Sequence, residues 1–329
     1  MAQISAKPPL RLGIIGLGTV GCGVLHMLRQ RQSAMAQAAG RAVQVVAVSA
    51  RERYKTRAES ISTYAWFDDP LALVNNPEVD VVIELAGGAH GMALQVAEAT
   101  LNLGKPLITA NKAMLATQLL PLLQRAKQHG ASVHFEAAVA GGIPIIKTIQ
   151  QAMVGSRITQ ISAILNGTTN YMLTRMMQDN MGYAEALTAA QQQGYAEADP
   201  HLDVSGQDAA QKLAILAYLA FGDMPDVATM PCQGITHLKL TDMQAAATAN
   251  TCYKLLATAT LTPQGVVAQV QPAALPASHL FAQVHGADNA ILLEAEGMPR
   301  LFLAGPGAGS LPTANAVLAD IADVARLPR

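Results

Sequence analysis

The stretch GYAEADPHLDVSGQDAAQK, residues 194–212, gathers Glu197, Asp199, Asp203, Asp208 and Lys212 in a chain that is only 14% charged. Asp208 and Lys212 are four residues apart, so on a helix they share one face. A lysine held by a carboxylate is fit to give and take a proton. Glu197, Asp199 and Asp203 precede that helix, with Asp199-Pro200 reading as a turn. A solvated helix end would account for the same charges, and Ser205 with Asp208 has the spacing of a capping box. Three other stretches carry polar residues where chemistry could sit. TANKAML places Asn111 and Lys112 at a helix start, where a cation is mildly unfavourable and so asks for a reason. ILNGTTNYM offers Asn166 and Thr168 at a strand-to-helix junction, either as caps or as the wall of a pocket for a small polar molecule. FEAAVAGGIPII buries Glu136 in an apolar run, and the carbonyls of its glycine bend suit a hard cation.

The elements that must hold these residues are legible as apolar runs. LRLGIIGLG, VQVVAVSA, VDVVIELAGG, KPLITAN and SVHFEAAVAGG read as strands, with helices such as GMALQVAEATLNLG and KAMLATQLLPLLQRAKQHG between them. Strands alternating with helices of this length imply right-handed crossovers and a parallel sheet. Beyond residue 145 the rhythm changes. RITQISAI leads into a helix, YAEALTAAQQQG and DAAQKLAILAYLAFG are helices closed by Gly194 and Gly222, and KLLATATLT, GVVAQVQPAAL and ILLEAEG suggest antiparallel strands. AGPGAGSLP is a glycine-rich loop ahead of a last helix. The fold expected is α/β: a Rossmann-type dinucleotide-binding domain over residues 1–142, completed by a C-terminal helical segment 305–329, and an α+β domain over 143–304 with a mainly antiparallel sheet.

The nucleotide signal is GLGTVG, with Gly16, Gly18 and Gly21 set between an apolar strand and an amphipathic helix. Gly16 permits the tight turn, Gly18 lets backbone approach a pyrophosphate, and Gly21 lets helix lie on strand. The helix N-terminus offers free N–H groups to phosphates. At the end of the second strand, where an acid would take the ribose of NAD, stand Ser49 and Ala50, followed by Arg51. That pattern favours NADP over NAD, although Glu52 could still meet a ribose.

Taken in order and spacing, GLGTVG, TANKA, EAAVAGGIPII, LNGTTNYM, GYAEADPHLDVSGQDAAQKL and GPGAGSLPTANAVLADI resemble homoserine dehydrogenase, over about residues 10–326. The 194–212 block is the most diagnostic part. The resemblance implies reversible reduction of L-aspartate 4-semialdehyde to L-homoserine with NAD(P)H, on the route to threonine, methionine and isoleucine. It implies Lys212 as proton donor and acceptor with Asp208 beside it, and Lys112 as a second catalytic lysine. Glu197 and Asp203, with Asp199 in the same motif, would hold the substrate's amino end, with Asn166 and Thr168 lining the site. Cofactor contacts are implied at Gly16, Gly18, Thr19, Val20, Gly21, Ser49, Arg51, Ala86, Gly87, Asn111, Lys112 and Gly307. Backbone atoms of Glu136, Val139, Gly141 and Ile143 match a monovalent cation site, usually sodium. A homodimer through the second sheet is implied as well. The chemistry agrees: a carbonyl oxygen gains charge as hydride arrives, and a lysine, with a free pKa of about 10.4, can protonate it.

Composition narrows the alternatives. A net charge of −1 disfavours nucleic acid or a membrane surface as partner. Cys22, Cys232 and Cys252 are odd in number and widely spaced, which fits reduced thiols in a cytoplasmic enzyme rather than disulfides or zinc. MAQISAKPPL lacks the apolar core of a signal peptide, and no run is long enough for a membrane span. The chain stops at Arg329, so neither an ACT-type regulatory domain nor an aspartate kinase segment is expected. Two rivals are another two-domain NAD(P)-dependent semialdehyde reductase, such as one using a cysteine thioester, and a nucleotide-sensing module without chemistry.

Overall fold

The computed structural model describes residues 7–327 and divides the chain into two compact units, one of residues 1–142 and 309–329, the other of residues 143–308. Residues 1–6, part of the segment read as lacking a leader's apolar core, and residues 328–329 lie outside the described residues.

In the first unit the order is β1 (Leu10–Ile15), α1 (Thr19–Gln30), α2 (Gln32–Ala39), β2 (Val43–Ser49), β3 (Ala65–Phe67), α3 (Pro70–Asn75), β4 (Val81–Glu84), α4 (Met92–Asn102), β5 (Leu107–Thr109), α5 (Lys112–Gln128) and β6 (Val133–His134). The strands form a six-stranded sheet in the order β3-β2-β1-β4-β5-β6, parallel throughout. This is the doubly wound order that places ligands beyond the strands' carboxyl ends. Every residue of β4 and β5 is buried, as a parallel sheet covered on both faces requires. One face packs Leu12, Ile14, Val81 and Ile83 against α1 and the C-terminal helix. The other packs Ile15, Ala47 and Val82 against Leu73, Val74 and Val96. The run SVHFEAAVAGG, expected as a strand, pairs only at Val133 and His134 and then tightens into a 3₁₀ turn, Glu136–Ala138. Within the turn the Glu136 N–H donates to the buried Asp320 carboxylate at 2.9 Å.

The second unit runs α6 (Ile145–Lys147), continued by a π turn Thr148–Ala152, then β7 (Ile158–Ile164), α7 (Gly167–Gln178), α8 (Tyr183–Gln192), α9 (His201–Val204), α10 (Gln207–Phe221), α11 (Leu240–Thr248), β8 (Thr251–Thr262), β9 (Gly265–Pro276), β10 (Asp288–Ala295) and β11 (Met298–Pro306). Its five-stranded sheet has the order β11-β10-β7-β8-β9 and is antiparallel. Helices α7 and α10 pack on it. The strand β11 extends to Pro306 through its hairpin with β10, so residues 305–308, expected with the C-terminal segment, belong to this unit. Helix α12 (Ser310–Arg326) then returns to the first unit and packs on α1 and α2. Gly23 makes room for it: a Cβ there would lie 2.6 Å from Ser310 Oγ. Among the described residues no helix is long and apolar enough to cross a membrane.

Candidate active site

The chemistry-bearing residues of the second unit meet where β7 ends and α7 and α10 begin. Asn166 is the N-cap of α7, its Oδ1 accepting the Thr169 N–H at 2.8 Å. Its amide nitrogen meanwhile donates to Asp203 Oδ1 at 2.7 Å and to Asp208 Oδ2 at 2.9 Å. One side chain thus serves as cap and as bridge between two carboxylates. Thr168 Oγ1 lies 2.7 Å from the Tyr195 carbonyl and 3.2 Å from Asp203 Oδ2. Lys212 Nζ donates to Asp208 Oδ2 at 2.8 Å and to the Leu165 carbonyl at 2.7 Å. An ammonium has three N–H groups, so one remains uncommitted among the described residues. Lys212 is 8% exposed and Asp208 5%, so the pair is shielded enough for its charges to matter.

Burial pushes the Asp203 carboxyl above its ordinary value. The Asn166 hydrogen bond opposes this, Asp208 reinforces it, and Thr168 and Lys212 pull it back down. Ser205 does not cap α10 as its spacing suggested. The N-cap is Gly206, at φ +84°, and Ser205 Oγ turns back to the Leu202 carbonyl, leaving Asp208 to Lys212 and Asn166. Asp199 is exposed and its Oδ1 accepts the His201 N–H at 3.1 Å, the turn its Asp-Pro pair implied. Glu197 is exposed, and its carboxylate stands outside the Asn166 network.

In the first unit the glycine loop joins β1 to α1. The three glycines differ in what they do. Gly16, at φ +95°, faces Leu85 so closely that a Cβ would sit 2.5 Å from its carbonyl carbon. A Cβ on Gly21 would lie 2.1 Å from Gly16 O. At Gly18 a Cβ would meet nothing within 4 Å. The protein itself needs glycine at the first and third positions; at the second the open space suits a ligand lying against the backbone. Gly18 and Thr19 are exposed and Val20 half-buried at the start of α1. Ser49 ends β2, its carbonyl accepting the Gly16 N–H, and Arg51 is exposed just beyond it. Ala86 and Gly87 are exposed after β4. Asn111 caps α5 through Met114 N at 3.1 Å and donates to Gly88 O at 2.7 Å, with Lys112 half-buried in the helix's first position.

Three other placements refine the sequence reading. Gly307 has a packing reason to be glycine: a Cβ would lie 2.1 Å from Asn289 Cγ, and Asn289, fully buried, has neither amide atom hydrogen-bonded among the described residues. Gly141 lies against Thr313, and the neighbouring Ala140 holds φ +48°, a left-handed bend unusual for alanine. Val139 and Gly141 are buried, and among the described residues their carbonyls accept no hydrogen bond, whereas Ile143 O takes the Ile145 N–H. Burial raises the thiols of Cys232 and Cys252, the opposite of an activated nucleophile.

A parallel sheet of this order with its glycine loop, carried in one chain with a buried lysine–carboxylate pair, defines a dinucleotide-dependent oxidoreductase of two domains. The family model for homoserine dehydrogenase matches residues 144–322, and that for the homoserine dehydrogenase NAD-binding domain matches residues 16–136. A homoserine dehydrogenase of Neisseria gonorrhoeae is 39% identical over 319 residues, 97% of this chain and 73% of that protein. The crystal structure of a homoserine dehydrogenase from Thiobacillus denitrificans matches with a TM-score of 0.93 at 38% identity, covering 97% of this chain and 74% of that one. One from S. aureus matches at 0.84 and 31%, covering 98% and 80%. The chain belongs to the homoserine dehydrogenase family. It is an oxidoreductase that interconverts L-aspartate 4-semialdehyde and L-homoserine with a nicotinamide dinucleotide, and neither rival reading is favoured.

Proposed function

We propose that Lys212 is the acid and base of this reaction, and that Asp203 and Glu197 hold the substrate's ammonium. The uncommitted N–H of the buried, doubly anchored Lys212 carries the assignment. The dinucleotide supplies hydride when bound. As hydride reaches the aldehyde carbon, the C=O pair moves to oxygen, and Lys212 gives that oxygen a proton. In the oxidative direction a neutral Lys212 takes the hydroxyl proton as hydride leaves the carbon. Asp208 keeps the amine in place. Asn166 fixes the spacing of the two carboxylates, and Thr168 with Asp199 shapes the loop that presents Asp203 and Glu197.

Lys112, at the start of α5, is proposed as the second lysine, acting on the substrate oxygen beside the nicotinamide. The dinucleotide's pyrophosphate would rest on Gly16, Gly18, Thr19, Val20 and Gly21, with Ala86, Gly87 and Asn111 towards the nicotinamide and Gly307 in the closing loop. Ser49 and Arg51, in place of an acid at the end of β2, favour NADP over NAD. The available carbonyls of Val139 and Gly141, with the backbone of Glu136 and Ile143, are offered for a monovalent cation, sodium in preference. A homodimer through the antiparallel sheet, in the cytoplasm, completes the proposal; Val267, 59% exposed on β9, is among the apolar residues a partner would cover. The test is homoserine oxidation by the purified protein at matched NAD and NADP concentrations. Turnover that is faster with NADP supports the assignment at Arg51, and equal or faster turnover with NAD overturns it.

A further inference from the structure

Glu84 ends the otherwise apolar run Val-Val-Ile-Glu of β4 and is fully buried. Among the described residues its carboxylate pairs with no cation and accepts three hydrogen bonds instead. Oε1 receives the N–H groups of Ala86 at 2.8 Å and Gly87 at 3.1 Å. Oε2 receives the hydroxyl of Thr109 at 2.7 Å, across the sheet on β5. The same hydroxyl oxygen accepts the Asn111 N–H at 3.0 Å, and Asn111 in turn donates to Gly88 O at 2.7 Å. The circuit is closed: Glu84 to the 86–87 turn, Glu84 to Thr109, Thr109 to Asn111, and Asn111 back to Gly88.

The segment so tied would otherwise be loose. Gly87, Gly88 and Gly91 all hold positive φ, a conformation with large freedom to lose. Its first residue, Leu85, is the one that presses on Gly16 of the dinucleotide loop. A purely structural position at the end of a buried strand would be filled as well by an apolar residue, without the desolvation of a carboxylate. Here the charge is spent on backbone N–H groups of one loop and the N-cap of α5.

We infer that Glu84 is a positioning residue for hydride transfer, holding the 86–88 turn and the Asn111-Lys112 helix start in one fixed arrangement. This rests on the reading of Ala86, Gly87, Asn111 and Lys112 as cofactor and substrate contacts. Glu84→Gln keeps the shape but presents an N–H to Thr109, which turns the hydroxyl away from its acceptor. Thr109→Val removes only the link between Glu84 and Asn111. Each variant is expected to weaken NADPH binding or lower kcat by about ten- to hundredfold, the range for a hydrogen bond to a charged group. The double variant is expected to lose much less than the two combined, because both break one circuit. NADPH affinity by fluorescence titration and kcat for homoserine oxidation are measured on protein shown to be folded, beside Lys112→Ala. Loss in all three, with the non-additive double variant, is the expected result. Near-normal affinity and kcat in Glu84→Gln and Thr109→Val while Lys112→Ala loses turnover overturns the role of Glu84 alone. Near-normal values in all three overturn the cofactor reading with it. A lowered melting temperature with unchanged affinity and kcat marks Glu84 as merely structural and also overturns the inference. If Glu84→Gln does not fold, Thr109→Val decides the matter by the same readouts.

Discussion

Replacing Asp203 with Asn separates function from stability at one side chain. The amide retains an oxygen to accept from Asn166, now at 2.7 Å, and its other atom still neighbours Thr168 Oγ1, which has the Tyr195 carbonyl as its closer partner. The shape of the cluster therefore survives. What disappears is the charge, which burial and the nearby Asp208 disfavour in the folded protein. A carboxyl raised by folding binds its proton more readily in the native than in the unfolded state. Its contribution to stability is thus present below the ordinary carboxylate range and is lost as pH rises through the raised value. At neutral pH the ionised Asp203 is a cost to the fold, and Asp203→Asn is expected to melt no lower than the wild type. For the substrate the change is the reverse. An ammonium loses a charged acceptor, a contact of about 1.5–3 kcal/mol, so KM for homoserine is expected to rise about ten- to 150-fold. Steady-state kinetics at neutral pH and thermal melting of the same preparation give both numbers. A lower melting temperature with an unchanged KM would refute the assignment and make Asp203 a structural acid.

Four further outcomes follow from the geometry. Glu197→Gln is expected to raise KM for homoserine with little change in melting temperature, since Glu197 is exposed and outside the hydrogen-bonded cluster; an unchanged KM would remove it from the substrate site. Gly18→Ala should fold and melt normally, because its Cβ meets no protein atom within 4 Å, yet weaken dinucleotide binding about tenfold or more. A titration showing wild-type affinity would contradict a ligand at that backbone. Burial lowers the Lys254 ammonium from 10.5 to about 8. The group's contribution to stability is therefore present above the unfolded value and lost as pH falls through about 8. Between those limits wild type should gain up to about 3 kcal/mol relative to Lys254→Met, and thermal melts showing a constant gap across that range would refute it. Asn166→Ala loses the cap of α7 and the donor shared by two carboxylates, so its stability should fall by at least the ~1 kcal/mol of a cap, read as a lower melting temperature; an unchanged melt would show that water replaces both contacts.

Much of the first unit was legible because a parallel sheet covered on both faces writes its strands as unbroken apolar runs, and β4 and β5 are such runs. The glycine loop was legible because its three glycines sit at a strand-to-helix joint. Short elements escaped: β3 has three residues and α3 six, too few for a period to show. Most of β11 went unread because Pro299 and Gly305 break its pattern, and its end from Ala304 fell in the glycine-rich loop; its pairing with β10 comes from the tight turn at Glu296 and Gly297. In the candidate site, helical spacing put Asp208 and Lys212 on one face, while the family resemblance supplied their roles and set Asp203 and Asn166 beside them. The hydrogen bonds by which Asn166 joins Asp203 to Asp208 were not legible, since those residues come from three separate segments. Ser205 matched a capping spacing, but Gly206 in a left-handed conformation begins the helix instead. Glu84 left one signal, an acid closing an apolar strand ahead of two glycines, and its meaning depended on Thr109 lying opposite it in the sheet.

On the proposed assignment Lys212 moves the proton, and other residues hold the dinucleotide. Lys212→Ala, assayed for homoserine oxidation with dinucleotide affinity titrated on the same protein, tests it most directly. A fall in kcat of about 10²- to 10⁴-fold with affinity for the dinucleotide unchanged is expected. A near-normal kcat in the folded variant would contradict it.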